Sequence, residues 1–295
     1  MVRLEGAGLS YGSSGAVLRD ISFAVAAGGF RWLLGPSGAG KSSLLRLLYL
    51  AQRPTAGRVF VLGQDVAQAA RRDLPPLRRQ IGVVFQDFRL MPHLSAFDNV
   101  ALPLRLAGRP EGQVQADVGE MIRWVGLQRR EGARPAELSG GEQQRVAIAT
   151  ALANHPRIIL ADEPTGELDS RTAADILRVL QEARRQLGVT VIVVTHDQAV
   201  GAVADRMVAI RDGRTSSERL RVEPQAAGGP GAADTAREYA VVDRAGRLQI
   251  PQDYLRAAGI TDRAALRLEG GRIIVEPAPV PPSHAGRPPA GTGQP

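Results

Sequence analysis

Apolar residues follow two alternating rhythms from the start of this chain to about residue 221. Short unbroken runs at Phe30–Leu34, 157–161 and Thr190–Thr195 have the make-up of strands buried on both faces. Between them, apolar positions recur at helical spacing. Leu44, Leu45, Leu47 and Leu48 predict a helix over 42–50. This alternation predicts an α/β domain over residues 1–221. Residues 222–236 hold no aromatic and are rich in Gly, Ala and Pro, the composition of a linker. From 237 to 276 the pattern changes to a small, mostly β module. Residues 241–250 read as strand, turn and strand, with Pro251 opening a short helix that Gly259 can end. Runs at 265–268 and 272–275 flank Glu269-Gly270-Gly271, a hairpin signal. Residues 277–295 are rich in Pro and Gly and are expected to be a disordered tail.

A length of 295 residues suits one large domain and a small one. The absence of cysteine excludes disulfides, thiolate metal sites and thiol nucleophiles. The first residues lack the apolar stretch of a signal peptide, and no apolar run approaches the ~20 residues that cross a bilayer. The formal charge of +7 points only weakly to an anionic partner, because no block of five like charges occurs.

Among 37 basic residues Lys41 is the single lysine. It closes Gly35-Pro36-Ser37-Gly38-Ala39-Gly40-Lys41-Ser42, which fits the phosphate-binding pattern G-x-x-x-x-G-K-[ST] at every position. A compact ammonium can reach between two phosphates where a planar guanidinium fits badly. The loop follows a predicted strand and precedes a predicted helix, so its amides and the helix N-terminus face one anion. Downstream, an apolar run ends in Asp162 and is followed by Glu163. Asp162 can hold a magnesium ion beside the Ser42 hydroxyl, and Glu163 can act as a general base. Leu138-Ser139-Gly140-Gly141-Glu142-Gln143-Gln144-Arg145 places two glycines and a hydroxyl at the start of another helical pattern, a second candidate anion cradle.

Together these strings resemble the nucleotide-binding subunits of ABC transporters over residues 1–221. The resemblance implies an ATP hydrolase with ATP and Mg²⁺ as cofactors. It also implies a head-to-tail homodimer, with each ATP between the phosphate loop of one copy and Ser139-Gly140-Gly141 of the other. By resemblance Tyr11 stacks on adenine, Gln86 reaches Mg²⁺ and the attacking water, and His196 contacts the γ-phosphate. Ser43 lines the same loop, and Leu168-Asp169 matches the segment that couples the two sites. The strings 48–57 and 78–92, with Gln86-Asp87-Phe88-Arg89-Leu90, are similar to the FtsE group, whose relatives include LolD and MacB. That likeness implies a role in cell division, an FtsX-like membrane permease as partner, and a location at the cytoplasmic face of the inner membrane. The segment from Gln86 to about Leu106, with Phe88, Met91, His93 and Phe97, is the expected docking region for the permease. Glu167, Thr150 and Ser43 depart from the usual family residues.

Residues 237–276 resemble the AbrB/SpoVT swapped-hairpin fold, which implies either dimerisation or DNA binding. Seven Arg against six acidic residues leave a net charge of +1, which favours pairing of two copies over DNA.

Overall fold

The computed structural model describes residues 1–12, 15–197, 206–221, 236–240, 248, 250, 252–261 and 264–277. The strand–turn–strand expected over 241–250 lies almost wholly outside these residues, as do 222–235 and the tail from 278 on. The chain divides into two compact units, Met1–Leu248 and Gln249–Pro295.

The first unit holds two sheets. An antiparallel sheet is built from β1 (Val2–Ser10), β2 (Ala16–Val25), β4 (Ala56–Val61) and β5 (Gln64–Asp65), in the order β2-β1-β4-β5. The larger sheet contains β3 (Phe30–Leu34), β6 (Ile81–Val84), β7 (Ile158–Asp162), β8 (Thr190–Thr195), β9 (Arg206–Arg211), β10 (Arg214–Arg221) and β11 (Ala236–Ala240). Its order is β11-β10-β9-β3-β8-β7-β6. The five strands from β9 to β6 are parallel, and β10 and β11 add an antiparallel margin.

Period-two alternation explains how the parallel strands are covered on both faces. Leu33, Leu160, Ile192 and Val194 point to a core shared with α1 (Lys41–Leu48) and the antiparallel sheet, including Leu4, Leu18, Leu44 and Leu48. Trp32, Ile159, Ala161, Val191 and Val193 point the other way. They pack among α3 (Ala96–Leu106), α4 (Glu111–Trp124), α5 (Gly140–Leu152) and α6 (Ser170–Leu187), with Val100, Ile122, Ile148 and Leu180. A short α2 (Leu74–Arg78) precedes β6.

The predicted strands at 30–34 and 190–195 appear at those bounds, and the third run is displaced by one residue. The predicted helix over 42–50 runs from Lys41 to Leu48, because Gly40 at φ +93° turns the chain just before it. Residues 236–240, placed by sequence at the junction of linker and module, pair with β10 and belong to the first unit.

In the second unit α7 (Gln252–Ala257) is followed by Gly259 at φ +69°. The hairpin expected around 269–271 is present as β12 (Ala264–Glu269) paired with β13 (Arg272–Pro277). Among the described residues no helix is long and apolar enough to cross a membrane.

Candidate nucleotide site

The parallel strands deliver the candidate residues to one end of the sheet, because β3, β8, β7 and β6 are neighbours in register. Leu34 pairs with Thr195, Asp162 with Val194, and Val84 with Ala161. Loops leaving the carboxyl ends of these strands therefore converge, the place where open α/β sheets hold ligands.

Residues 35–42 run from β3 into α1. The Gly35 amide donates to the Thr195 carbonyl at 3.3 Å, which seats the loop on β8. A Cβ at Gly35 would lie 2.4 Å from the Ile210 carbonyl oxygen, so the position has room for no side chain. Helix α1 has no side-chain cap and no acidic residue in its first turn, leaving its N-terminal field for an anion. Gly35→Ala is expected to destabilise the fold by about 1–3 kcal/mol and to weaken nucleotide binding. Denaturant titration and binding of a fluorescent nucleotide check the two effects.

Lys41 is buried, with its ammonium 2.8 Å from the Gly35 carbonyl and 3.1 Å from that of Pro36. Its third neighbour is Glu163 Oε1 at 3.3 Å. The other carboxylate oxygen, Oε2, lies 2.9 Å from His196 Nδ1 and accepts from the His196 amide at 3.2 Å. Glu163 thus bridges the phosphate loop and the end of β8. Its backbone is left-handed at φ +47°, fixed by an amide bond to Val194 and a carbonyl bond from Gly166. Asp162 sits behind this trio. Burial raises its carboxyl above the usual range, as does neighbouring Glu163, against a hydrogen bond from Ser42 and the charges of Lys41 and Arg89. Its Oδ1 is buried with no hydrogen-bond partner among the described residues. A spare hard oxygen next to a serine hydroxyl fits Mg²⁺, which takes one or two protein oxygens and fills the remaining positions with water and phosphate. Among the described residues no group of three or more His, Cys, Asp or Glu side chains is placed to hold a metal ion.

The sequence-predicted residues fall into two groups. Lys41, Glu163 and His196 are linked through the Glu163 carboxylate, with the hydrogen-bonded Ser42–Asp162 pair beside them. Tyr11 is tied to the same corner, its hydroxyl 3.3 Å from Ser43 Oγ. Gln86 is exposed, beside the turn at Gly166. Ser139, Gly140, Gly141 and Asp169 form the second group. Ser139 caps α5: its Oγ accepts from the Glu142 amide at 3.3 Å, and the Glu142 carboxylate accepts from the Ser139 amide at 2.8 Å. That amide bond, with Arg130 nearby, holds the Glu142 carboxyl below its ordinary range. Asp169 caps α6 by accepting from the amides of Arg171 and Thr172 and from the Thr172 hydroxyl. Gly140 and Gly141 face Leu168 and Thr172, not the phosphate loop.

Sequence reasoning gives Arg89 no place in the site. Its guanidinium lies 3.8 Å over the Phe85 ring, 3.1 Å from Asp87, and favours the ionised form of Asp162. Phe88 and Arg89 both have positive φ, a fold-back that a string of residue types does not announce. In the expected permease-docking segment Met91 and His93 are exposed, while Phe88 and Phe97 pack partly against the core.

A strand, glycine-rich loop and helix, with a lysine opening the helix and paired acids at the end of the next strand but one, define a P-loop nucleotide-binding protein. The ABC transporter family model matches residues 18–166, and the chain belongs to that family. Among curated relatives, methionine import ATP-binding protein MetN of Cupriavidus necator is 42% identical over 218 residues, 72% of this chain and 63% of that protein. The MetN of Mesorhizobium japonicum is 43% identical over 215 residues, 72% of this chain and 59% of its own. The chain thus spans less than two thirds of the length of these relatives. Among solved structures, the dimeric ATP-binding cassette MJ0796 in a post-hydrolysis state bound to ADP and Pi aligns with a TM-score of 0.67 and 37% identity. It covers 74% of this chain and 97% of that one. The structure of cbiO1 from Clostridium perfringens, part of the cbiONQ complex, aligns at 0.69 and 28% identity, over 74% and 87% of the two chains.

These relatives correct the expected subgroup. The FtsE likeness rests on short strings, chiefly the five residues from Gln86 to Leu90. Similarity over more than two hundred residues goes to methionine import proteins, and neither the cell-division role nor an FtsX-like partner is carried by it. The C-terminal module lies outside the family match, so its AbrB-like character is not supported there.

Proposed function

We propose that the chain is the ATP-hydrolysing subunit of an ABC importer, working as a homodimer on a membrane permease. The observation that carries this reading is Glu163, whose carboxylate touches both Lys41 and His196 beside the Ser42–Asp162 pair. Phosphoryl transfer to water needs positioning and charge neutralisation more than covalent chemistry. Lys41 and the loop amides supply positive charge to the phosphates. Glu163 takes the proton of the attacking water, and His196 orients Glu163 and the terminal phosphate. Ser42 and Asp162, with Gln86, would hold Mg²⁺, which adds charge neutralisation at the phosphate oxygens. Tyr11 supplies an aromatic face for the base, and Ser139, Gly140 and Gly141 an anion cradle for the second copy's nucleotide. Asp169 lies where the two copies meet.

The cargo reading follows the relatives: methionine or a closely similar amino acid, delivered through a permease that receives Met91 and His93. Deleting the gene and measuring uptake of labelled methionine tests it. Uptake is expected to fall several-fold and to return with the intact gene but not with a Glu163→Gln copy. Unchanged uptake removes the cargo assignment and leaves the hydrolase reading standing.

The second unit is proposed to pair two copies. Leu266, Leu268, Ile273 and Val275 share one face of the β12–β13 hairpin, and the first three are largely exposed. The opposite face is neutralised by Arg267 bonded to Glu276. An isolated two-stranded hairpin is marginal alone, and an apolar face with balanced charge offers little to DNA.

A further inference from the structure

Gln144 is fully buried one turn into α5, yet only half of its amide is satisfied. Its Nε2 donates to the Pro164 carbonyl at 2.8 Å, and its Oε1 is buried with no partner among the described residues. Rotating the amide would set oxygen against the Pro164 oxygen, so the orientation is fixed by its one bond. A half-satisfied buried amide is worse for stability than an apolar side chain of the same shape. Such exceptions concentrate where function requires them.

The location of the single bond shows what it can do. Pro164 follows Glu163, which is held in a left-handed conformation that costs free energy for a residue with a side chain. Conformations of this kind persist only when their surroundings over-determine them. Glu163 has its amide bonded to Val194 and its carbonyl to the Gly166 amide. The remaining backbone polar group before Thr165 is the Pro164 carbonyl, since proline has no N–H to donate. Gln144 holds that carbonyl. Three residues earlier on α5, Gly141 packs so closely on Thr172 that a Cβ would fall 2.4 Å from the Thr172 Cγ2. Thr172 is bonded in turn to Asp169. The first turn of α5 is therefore fastened to the 163–172 segment at both of its ends.

We infer that Gln144 is a positioning residue that transmits the placement of the Ser139–Gly141 turn to Glu163 of the same chain. When that turn engages the second copy's nucleotide, Glu163 is set in its own site, so the two sites turn over cooperatively. This inference rests on the homodimeric hydrolase reading proposed above.

The test uses the full chain with Gln144→Met, which keeps the length and removes the amide. Melting temperature is expected to change little, because loss of the unpartnered oxygen offsets the loss of the donor to the Pro164 carbonyl. Nucleotide affinity stays unchanged, kcat falls about 10- to 100-fold, and the Hill coefficient for ATP drops to 1. Normal kcat with an unchanged Hill coefficient overturns the inference. So does a loss of kcat that merely tracks a lower melting temperature, which is the mark of a packing role. Gln144→Leu repeats the measurement with another apolar shape. If neither variant folds, the side chain is structural and the inference is wrong. A wild-type chain that hydrolyses no ATP would instead sink the underlying functional reading.

Discussion

Glu163→Gln is expected to lower ATP turnover by about 10²- to 10⁴-fold while nucleotide still binds. The glutamine keeps the volume and an oxygen able to accept from the His196 amide, so the local frame is retained. What disappears is the carboxylate proposed to take a proton from water. The buried contact with Lys41 weakens too, but Lys41 keeps its bonds to the Gly35 and Pro36 carbonyls. Phosphate-release kinetics and equilibrium binding of a fluorescent nucleotide separate the two effects. A turnover within threefold of wild type would remove Glu163 from its proposed role.

Lys41→Arg is the second large effect. The substitution looks mild in a chain whose other basic side chains are all arginine. The geometry argues otherwise. The Lys41 side chain is 8% exposed, and its ammonium sits among two carbonyls and one carboxylate within 3.3 Å. A guanidinium is longer and planar, and carries five N–H groups that this enclosure cannot satisfy. Nucleotide affinity is expected to fall at least ~100-fold, about 2.7 kcal/mol. The same isolation gives a direct probe: amine-reactive reagents have only Lys41 and the α-amino group to modify. Bound ATP is expected to protect Lys41 and leave the terminus reactive. Arginine substituting with normal affinity, or labelling that nucleotide does not affect, would overturn this account of the loop.

The parallel core and the convergence of the candidate phosphate-site residues were legible because their signals are local. A strand buried on both faces is a continuous apolar run, and β3 and β8 appear at the residues where such runs occur. The loop pattern and the acid pair are contiguous strings, and strand order then brings Lys41, Asp162, Glu163 and His196 together. What was not legible depends on distant partners. Strand β11 is short and polar, and its membership in the sheet comes from pairing with β10. The Gln144–Pro164 bond spans twenty residues, and in the sequence Gln144 is one of two adjacent glutamines on a helix. As a string Gln86-Asp87-Phe88-Arg89-Leu90 resembles a subgroup label, whereas in the fold it is a turn with two left-handed residues and a stacked cation.

The margin of the large sheet has a practical consequence. A chain cut after Arg221, where composition alone would end the first domain, strips β10 of its outer neighbour and bares a row of unpaired amides and carbonyls. Such a rim recruits other strands edge to edge, so a self-sufficient first domain has to extend through Ala240.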